Sequence, residues 1–295
     1  MKLTCVTATF NALAAGNRDK LIRCVESVAK IKTSHEHLIY DGASTDGTVE
    51  LLRELEAKTP GLRVVSEPDM GIYNALNKGV RDAQGEWFYV LGVDDYICCS
   101  EVLDEVVTTE SLDTQIIVSP VERDGRNPFF QKMSDMRKIF WTVPYSHQGL
   151  VMRTSFVRRM GGFDERYRIC ADWDMMLKAH ERVVKHHYTF RPFAFYAVGG
   201  MSENGDGRGW QEVTDVLQRH LRLTDKQTAR FRRVGFPPLS RMLPMLFHRD
   251  PAFRMSARMM VLRWSKYWIR LVLLPLVVIS RPVRMRLRRQ TDLKN

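Results

Sequence analysis

Apolar segments of two kinds alternate along the first 95 residues of this 295-residue chain. Four segments are short and rich in β-branched or aromatic residues, which predicts buried strands. The expected strands are residues 3–10, 37–40, 62–65 and 87–91. The segments between them repeat apolar residues at helical spacing, as Leu21, Val25 and Val28 do. Because strands that alternate with helices are joined by right-handed crossovers, the sequence predicts an α/β fold with a largely parallel sheet.

Polar residues follow the expected strands at the points where the strands end. They are Asn11, Asp41, Asp69, Asp94 and Asp95. In open α/β sheets, ligands bind beyond the carboxyl ends of the strands. Carboxylates gathered at that edge repel one another, and a divalent cation or the donors of a ligand would relieve the repulsion. The adjacent Asp94 and Asp95 offer hard oxygen ligands for Mg²⁺ or Mn²⁺, although strand-end carboxylates also cap helices.

The basic residues are concentrated towards the C-terminal end of the chain. The whole chain has a formal net charge of +11. Residues 226–295 contain 17 basic and 2 acidic residues, a net charge of +15, so the first 225 residues carry −4. This distribution argues against a uniformly basic body that binds nucleic acid and favours a tail that contacts an anionic surface.

Cysteine usage and hydropathy argue against several other classes of protein. The five cysteines are odd in number and contain no C-x-x-C motif, so neither a disulfide framework nor a cysteine-rich zinc site is expected. A reducing compartment fits this usage. Thr4, Thr7 and Thr9 interrupt the apolar start of the chain, which favours a strand over a signal peptide. No run of 18 apolar residues occurs, so an ordinary transmembrane helix is not expected.

Five sequence blocks in a fixed order make the chain resemble the family 2 glycosyltransferases of the GT-A fold. The blocks are TATFNA at 7–12, DGASTDGT at 41–48, SEPDMGIYNALNKGV at 66–80, GEWFYVLGVDD at 85–95 and GGFDERYRICADWDMMLKA at 161–179. The third block together with HQGLVMR at 147–153 is most similar to the branch that builds bacterial exopolysaccharides, including colanic-acid-type enzymes. The resemblance implies a Rossmann-like, mostly parallel sheet flanked by helices, and a glycosyltransferase activity.

The resemblance also implies donor-binding roles for residues at the strand ends. The implied donor-binding residues are Thr7, Thr9, Asn11, Asp41, Asp69 and Asp94. Asp41 matches the carboxylate that contacts the base of the nucleotide, and Asp94 matches a position near the ribose. Asp95 matches the metal ligand of a D-x-D-type motif whose first position here is Val93. The implied cofactor is Mn²⁺ or Mg²⁺.

The same resemblance assigns the catalytic base to Asp172. Ala171 stands where the family often has Glu, so the choice between Asp172 and Asp174 stays open. A single base and no covalent nucleophile imply one displacement with inversion at the anomeric carbon. Since Asp172 begins a predicted helix, it could equally be an N-terminal cap.

Three residues are candidates for the acceptor side of the site. They are His147, Trp173 and Asp174. A lone histidine is more often a surface or core residue than a substrate contact, and Trp173 could pack in the core instead of stacking on a sugar.

The C-terminal tail has an amphipathic pattern. As a helix, residues 253–270 place their arginines and Lys266 on one face and their aromatic residues on the other, which fits a helix that lies in a membrane interface. The alternative is a helix packed against the catalytic domain with a solvated basic face. Residues 271–280 are apolar but span only about 15 Å as a helix, against a hydrocarbon core of about 30 Å. They could enter one leaflet without crossing it.

These features predict a glycosyltransferase domain at residues 1–225 and a basic, helical, membrane-associating tail at 226–295. Within the domain, residues 1–110 form the nucleotide-sugar half and 111–225 the acceptor half. The expected partners are a UDP-, GDP- or dTDP-sugar, a polyprenyl-linked or oligosaccharide acceptor, and the cytoplasmic face of a bacterial inner membrane contacted by 253–290. No nucleic acid partner is expected.

Two alternatives follow from the same residues. The first is a non-catalytic protein that uses its basic tail to bind a membrane or nucleic acid, which leaves the ordered acids unexplained. The second is a nucleotidylyltransferase. That activity would need a glycine-rich, basic phosphate loop after the first strand, which the segment from Phe10 to Leu13 does not supply.

Overall fold

A computed structural model of the protein describes residues 1–123, 139–140, 143, 145–197, 208–234, 239–250 and 253–262. The strands are β1 (Leu3–Thr9), β2 (His35–Asp41), β3 (Leu62–Ser66), β4 (Trp87–Val90), β5 (Tyr96–Ile97), β6 (Thr114–Val118), β7 (Val121–Arg123), β8 (Leu150–Arg153), β9 (Lys185–Tyr188) and β10 (Ala194–Tyr196). The helices are α1 (Arg18–Ala29), α2 (Thr48–Lys58), α3 (Ile72–Asp82), α4 (Ser100–Thr109), α5 (Thr154–Arg159), α6 (Ala171–Glu181), α7 (Arg208–His220), α8 (Asp225–Val234), α9 (Leu239–Met242) and α10 (253–262). Short 3-10 turns lie at His147–Gly149 and Pro244–Phe247.

The main sheet has seven strands in the order β3-β2-β1-β4-β8-β6-β9. β1 to β4 run parallel to one another, as do β6 and β9, while β8 runs antiparallel to both of its neighbours. A second sheet has the order β5-β10-β7. The predicted α/β fold with a mostly parallel sheet is confirmed.

Helices cover both faces of the main sheet because their apolar stripes match its apolar strands. α1 buries Leu21, Val25 and Val28 at the predicted spacing. α3 packs on the other face, so closely that a Cβ at Gly79 would come within 2.6 Å of a Val6 side-chain carbon of β1. Glycine at this position therefore sets the helix–sheet distance.

The described part of the tail packs into the core of the body. Phe253, Ala257 and Met260 of α10 are buried in the same apolar cluster as β1, α3 and α6, and the Phe253 ring lies 5.0 Å from that of Phe140. The expectation that this aromatic face meets a membrane is wrong for residues 253–262, where the alternative of a helix packed on the catalytic domain holds. The rest of the predicted amphipathic helix lies outside the described residues. The division of the chain at residue 225 stays a prediction.

The described helices offer no membrane span, since none of them is both long enough and apolar enough to cross a bilayer.

Gly85 and Gly209 form a matched pair for a stability test. A Cβ at Gly85 would lie 2.5 Å from the backbone carbon of Leu3 and the backbone nitrogen of Thr4. One at Gly209 in α7 would have no described atom within 4 Å apart from its chain neighbours and the backbone of its own helix. We expect Gly85→Ala to lower the free energy of unfolding by about 1–3 kcal/mol through overpacking. Gly209→Ala should leave it unchanged or raise it by up to about 1 kcal/mol. Equal denaturation midpoints for the two variants would contradict this packing.

Candidate active site

The carboxyl ends of β1 to β4 lie along one edge of the main sheet, because these strands run parallel. The register aligns Thr9, Asp41 and Ser66 across β1, β2 and β3 at this edge. β8 runs antiparallel to β4, so the turn His147–Gly149 that precedes β8 lies at the same edge. The sheet therefore gathers segments from distant parts of the sequence.

Asp41 and Asn11 fasten the loop that follows β2. The buried Asp41 carboxylate accepts hydrogen bonds from the Ser44 amide at 2.9 Å, from the Ser44 hydroxyl, and from the Ser66 hydroxyl at 2.7 Å. The Asn11 amide donates to Ser44 Oγ at 2.7 Å, and its side-chain oxygen accepts from the Thr45 amide at 3.0 Å. Both residues shape the donor-side loop, and their contacts with a donor stay predictions.

Asp69 lies against the same loop. A Cβ at Gly42 would come within 2.9 Å of Asp69 Oδ2, so glycine is needed for this close approach. The other carboxylate oxygen, Oδ1, accepts from the Gly71 amide at 2.8 Å. The structure therefore brings Asp69 next to the segment that carries Asp41, as the sequence predicts.

Thr7 and Thr9 lie on one face of β1 but use their hydroxyls differently. The buried Thr7 hydroxyl lies 2.9 Å from His37 Nε2. Burial and the nearby His35 lower the pKa of His37 to about 3, so His37 is neutral. The Thr7 side chain is thus enclosed in the interior, which does not fit the predicted donor contact. Thr9 Oγ1 at the strand end is buried without a hydrogen-bond partner among the described residues.

Asp94 and Asp95 lie in the turn after β4. Asp95 is 2 % exposed, and its Oδ2 accepts from Gln148 Nε2 at 2.8 Å while its Oδ1 accepts from the Ala197 amide at 2.8 Å. Burial raises the pKa of Asp95, and the neighbouring Asp94 charge adds to the effect. A Cβ at Gly92 would come within 2.5 Å of Asp95 Oδ2, so this turn also depends on glycine. Asp94 is partly exposed.

His147 and Asp172 face each other at the same edge. His147 Nδ1 lies 3.6 Å from Asp172 Oδ2, and both side chains are partly exposed. Desolvation lowers the pKa of His147, but the interaction with the Asp172 carboxylate outweighs it, and the charges of Asp95 and Asp94 add to the net rise. Asp172 Oδ1 accepts from the Trp173 amide at 2.7 Å, so Asp172 also braces the start of α6. His147 therefore interacts electrostatically with three carboxylates of this edge, those of Asp172, Asp95 and Asp94.

Trp173 and Asp174 lie inside the protein, away from this edge. Trp173 is fully buried, and its indole nitrogen donates to the Ile139 carbonyl at 2.9 Å. Asp174 is also fully buried and pairs with Lys178 at 2.8 Å and with His220 at 2.9 Å. The predicted acceptor contacts of Trp173 and Asp174 do not fit this burial, because both side chains complete contacts within the core.

The acids of the edge are candidate ligands for a divalent ion that is shared with a substrate. No cluster of three or more His, Cys, Asp or Glu side chains in the described ranges is arranged to hold a metal ion. Mg²⁺ and Mn²⁺ prefer oxygen ligands, and Mg²⁺ commonly takes one or two carboxylates while water and substrate phosphates fill its other positions. Asp94 offers a partly exposed carboxylate for such an ion, whereas both oxygens of the adjacent buried Asp95 already accept hydrogen bonds.

Sequence reasoning missed two polar residues that organise the site. Gln148 and Ser44 hold Asp95 and Asp41, respectively, through their side chains. Each stands inside a matched block and close to a predicted site residue. That position is the signal that could have identified them.

Family comparison defines the class of protein. Residues 4–163, more than half of the chain, match the family described as Glycosyl transferase family 2. The chain belongs to this family and is a glycosyltransferase, as the sequence blocks predict.

Two kinds of relative share part of this sequence. The PGL/p-HBAD biosynthesis glycosyltransferase of Mycobacterium tuberculosis is 28% identical over 186 residues, which cover 61% of this chain and 72% of that protein. The chondroitin synthase of Pasteurella multocida is 29% identical over 171 residues, which cover 54% of this chain and 17% of that protein.

Solved structures share the fold. TarS of S. aureus in complex with UDP-GlcNAc has a TM-score of 0.62 at 17% identity, covering 86% of this chain and 78% of that chain. The mannosyltransferase PcManGT of Pyrobaculum calidifontis, in complex with GDP-Man and Mn²⁺, has a TM-score of 0.58 at 19% identity, covering 96% and 82%. At these identities the similarity establishes the GT-A architecture alone.

The contact between His147 and Asp172 can be tested by titration. We expect the His147 imidazole, followed by NMR, to titrate above the ordinary value of about 6.5. Asp172→Asn should lower that midpoint because it removes the strongest stabilisation of the imidazolium. The pKa of His147 is higher in the folded state than in the unfolded state. The contact therefore contributes its full stabilisation at pH values below the unfolded-state pKa. That stabilisation is lost as the pH rises through the folded-state value.

Asp113→Asn is the matched control, since Asp113 is exposed, pairs with Lys185 and lies at the start of β6, at the opposite edge of the sheet. A His147 midpoint that moves equally in both variants would contradict a direct contact with Asp172.

Proposed function

We propose that this chain transfers a sugar from a nucleotide-sugar donor to an acceptor hydroxyl with inversion at the anomeric carbon. The observation that carries the proposal is the pairing of the partly exposed Asp172 with His147, at the edge where Asp94 and Asp95 follow β4. A base and a pair of cation-binding acids are what a direct displacement from a diphosphate sugar requires.

The donor would lie along the ends of β1 to β4. The part of this edge formed by β1 to β3 is bordered by Asp41, Asn11 and Asp69. The part next to β4, in the middle of the sheet, is bordered by Asp94 and Asp95. The sugar nucleotides bound by TarS and PcManGT, whose folds are similar, support a donor of this class. A divalent ion held by Asp94 and Asp95 would supply positive charge where the departing diphosphate gains negative charge.

Asp172 would act as the base. Its carboxylate accepts the proton of the acceptor hydroxyl, whose oxygen attacks C1 of the sugar while the bond from C1 to the diphosphate oxygen breaks. Asp174 is a poorer candidate, because it is fully buried and its charge is balanced by Lys178 and His220. His147 would contact the acceptor beside Asp172, whose interaction raises the pKa of the imidazole.

Substitution of Asp172 tests the chemical step. We expect Asp172→Asn to lower kcat by about 10²–10⁴-fold, the usual contribution of a general base. A thermal-shift panel of UDP-, GDP- and dTDP-sugars with Mn²⁺ or Mg²⁺ should still identify the same donor, because Asp172 contributes to the reaction more than to donor binding. Asp95→Ala should instead abolish the dependence of donor binding on the metal.

Analysis of the product by NMR should show inverted anomeric configuration. Wild-type turnover by Asp172→Asn, or a retained configuration, would rule out the assigned mechanism. Asp113→Asn serves as the control for a remote carboxylate.

We further propose that the acceptor is a lipid-linked saccharide in bacterial surface polysaccharide synthesis, used at the cytoplasmic face of the inner membrane. The exopolysaccharide-type blocks and the net charge of +15 over residues 226–295 support this. The described end of the chain adds exposed apolar side chains, Leu243 at 45 %, Phe247 at 86 % and Met255 at 41 %. Leu243 and Phe247 lie in the connection between α9 and α10, and Met255 and Arg258 are exposed on α10.

Sedimentation with lipid vesicles tests the membrane proposal. We expect the chain to bind vesicles that contain an anionic phospholipid and to be released as salt rises, because screening weakens contacts between exposed charges. Phe247→Ser should weaken binding without changing thermal stability, since Phe247 is 86 % exposed. Phe190→Ser, which removes a ring that is 76 % exposed on the catalytic body, is the matched control. Equal binding to neutral vesicles, or preferential binding to RNA, would contradict the proposal.

A further inference from the structure

α7 runs along α6 and holds it through one face. Positions 212, 216, 219 and 220 share a side of α7 at the spacing of an α-helix. Val216 is fully buried in the core, and Arg219 and His220 pair with Asp174 at 3.4 and 2.9 Å. His220 also lies 2.8 Å from Glu181 at the other end of α6. The C-terminal half of α7 is therefore anchored on α6 without any contribution from Glu212.

Glu212 makes an unusual contact one helical turn before Val216. Its Oε1 accepts from the backbone amide of Arg168 at 2.8 Å, and its Oε2 accepts from those of Ile169 at 2.8 Å and Cys170 at 3.0 Å. One carboxylate thus holds three consecutive backbone amides. Hydrogen bonds to a charged acceptor are about twice as strong as those between neutral groups. The Glu212 carboxylate therefore holds the backbone of residues 168–170 firmly.

The same segment is held from its other side by α3. Tyr73 Oη donates to the Ile169 carbonyl at 2.7 Å, and the Tyr73 ring stacks on Phe163 at 5.7 Å. Residues 168–170 lead directly into α6, and Asp172 lies two residues further along. The position of Asp172 opposite His147 is therefore set by groups that come from α3 and α7.

We propose that Glu212 is a positioning residue for Asp172, fixing through the 168–170 amides where the base meets the acceptor hydroxyl. This inference rests on the proposed function of Asp172. The backbone amides that Glu212 holds belong neither to the strand ends nor to the turn after β4. Glu212 therefore acts on the acceptor half and leaves donor binding unchanged. Its signature is a loss in kcat with an unaltered donor affinity.

Steady-state kinetics and donor calorimetry of Glu212→Gln test the inference. The amide keeps the size of the side chain but replaces one acceptor oxygen by a donor, which must face a backbone N–H. We expect kcat to fall by about 10–100-fold, because a displacement of about 1 Å at a reacting group has an effect of that size. The donor dissociation constant should stay within about twofold.

Glu181→Gln is the matched control, since it makes the same chemical change where α6 meets the end of α7. It should leave kcat within about twofold of wild type, even if it lowers the melting temperature. Equal losses of kcat in the two variants would assign Glu212 a general structural role and overturn the proposal. Should Glu212→Gln fail to bind donor, Glu212→Asp, which keeps the charge but shortens the reach, must show the same selective loss of kcat.

A double-mutant cycle separates positioning from stability. If Glu212 acts through Asp172, Glu212→Gln should produce no further loss of single-turnover rate in the Asp172→Asn background. An undiminished loss in that background would overturn the inference. Wild-type turnover by Asp172→Asn would instead refute the proposed function, whereas impaired Asp172→Asn with normal Glu212→Gln refutes only the positioning role.

Discussion

Negative charge gathered at one edge of a parallel sheet is the constraint on which the rest of this structure depends. Two unit charges 4 Å apart interact by about 4 kcal/mol at an effective dielectric constant of 20, which is large beside the stability of a domain. The protein moderates this repulsion with local donors. An amide and a hydroxyl of the loop after β2 bind Asp41, Gln148 and the Ala197 amide hold Asp95, and Asp172 raises the pKa of the neighbouring His147. The carboxylates of this edge are held in place but still acidic. Such an edge suits a cation, and a bound cation would in turn attract a diphosphate.

The fold was predictable because its local patterns agree with its topology. Leu21, Val25 and Val28 predict α1, and the acids after each strand predict a common edge, since parallel strands leave no other arrangement. The choice between Asp172 and Asp174 was not predictable. The two residues are close in sequence on one helix, and only the placement of His220, far along the chain, shows which of them is neutralised inside the core. The enclosure of Thr7 by His37 depends in the same way on a partner from another strand.

The C-terminal helix illustrates a second limit of sequence patterns. Its amphipathic character is confirmed for residues 253–262, but an apolar stripe does not reveal whether protein or lipid covers it. Phe253 and Met260 are covered by the catalytic body, not by lipid. The basic residues that follow α10 in the sequence are therefore joined to a helix that packs on the enzyme.

The hydrogen bond from the Ala197 backbone to Asp95 has an evolutionary consequence. Every amino acid except proline carries the amide that this carboxylate needs, so a substitution at position 197 need not remove the hydrogen bond. Because the Ala197 side chain is buried, its replacement must still be small. One donor to the buried acid is therefore supplied by the backbone and does not depend on the identity of a side chain.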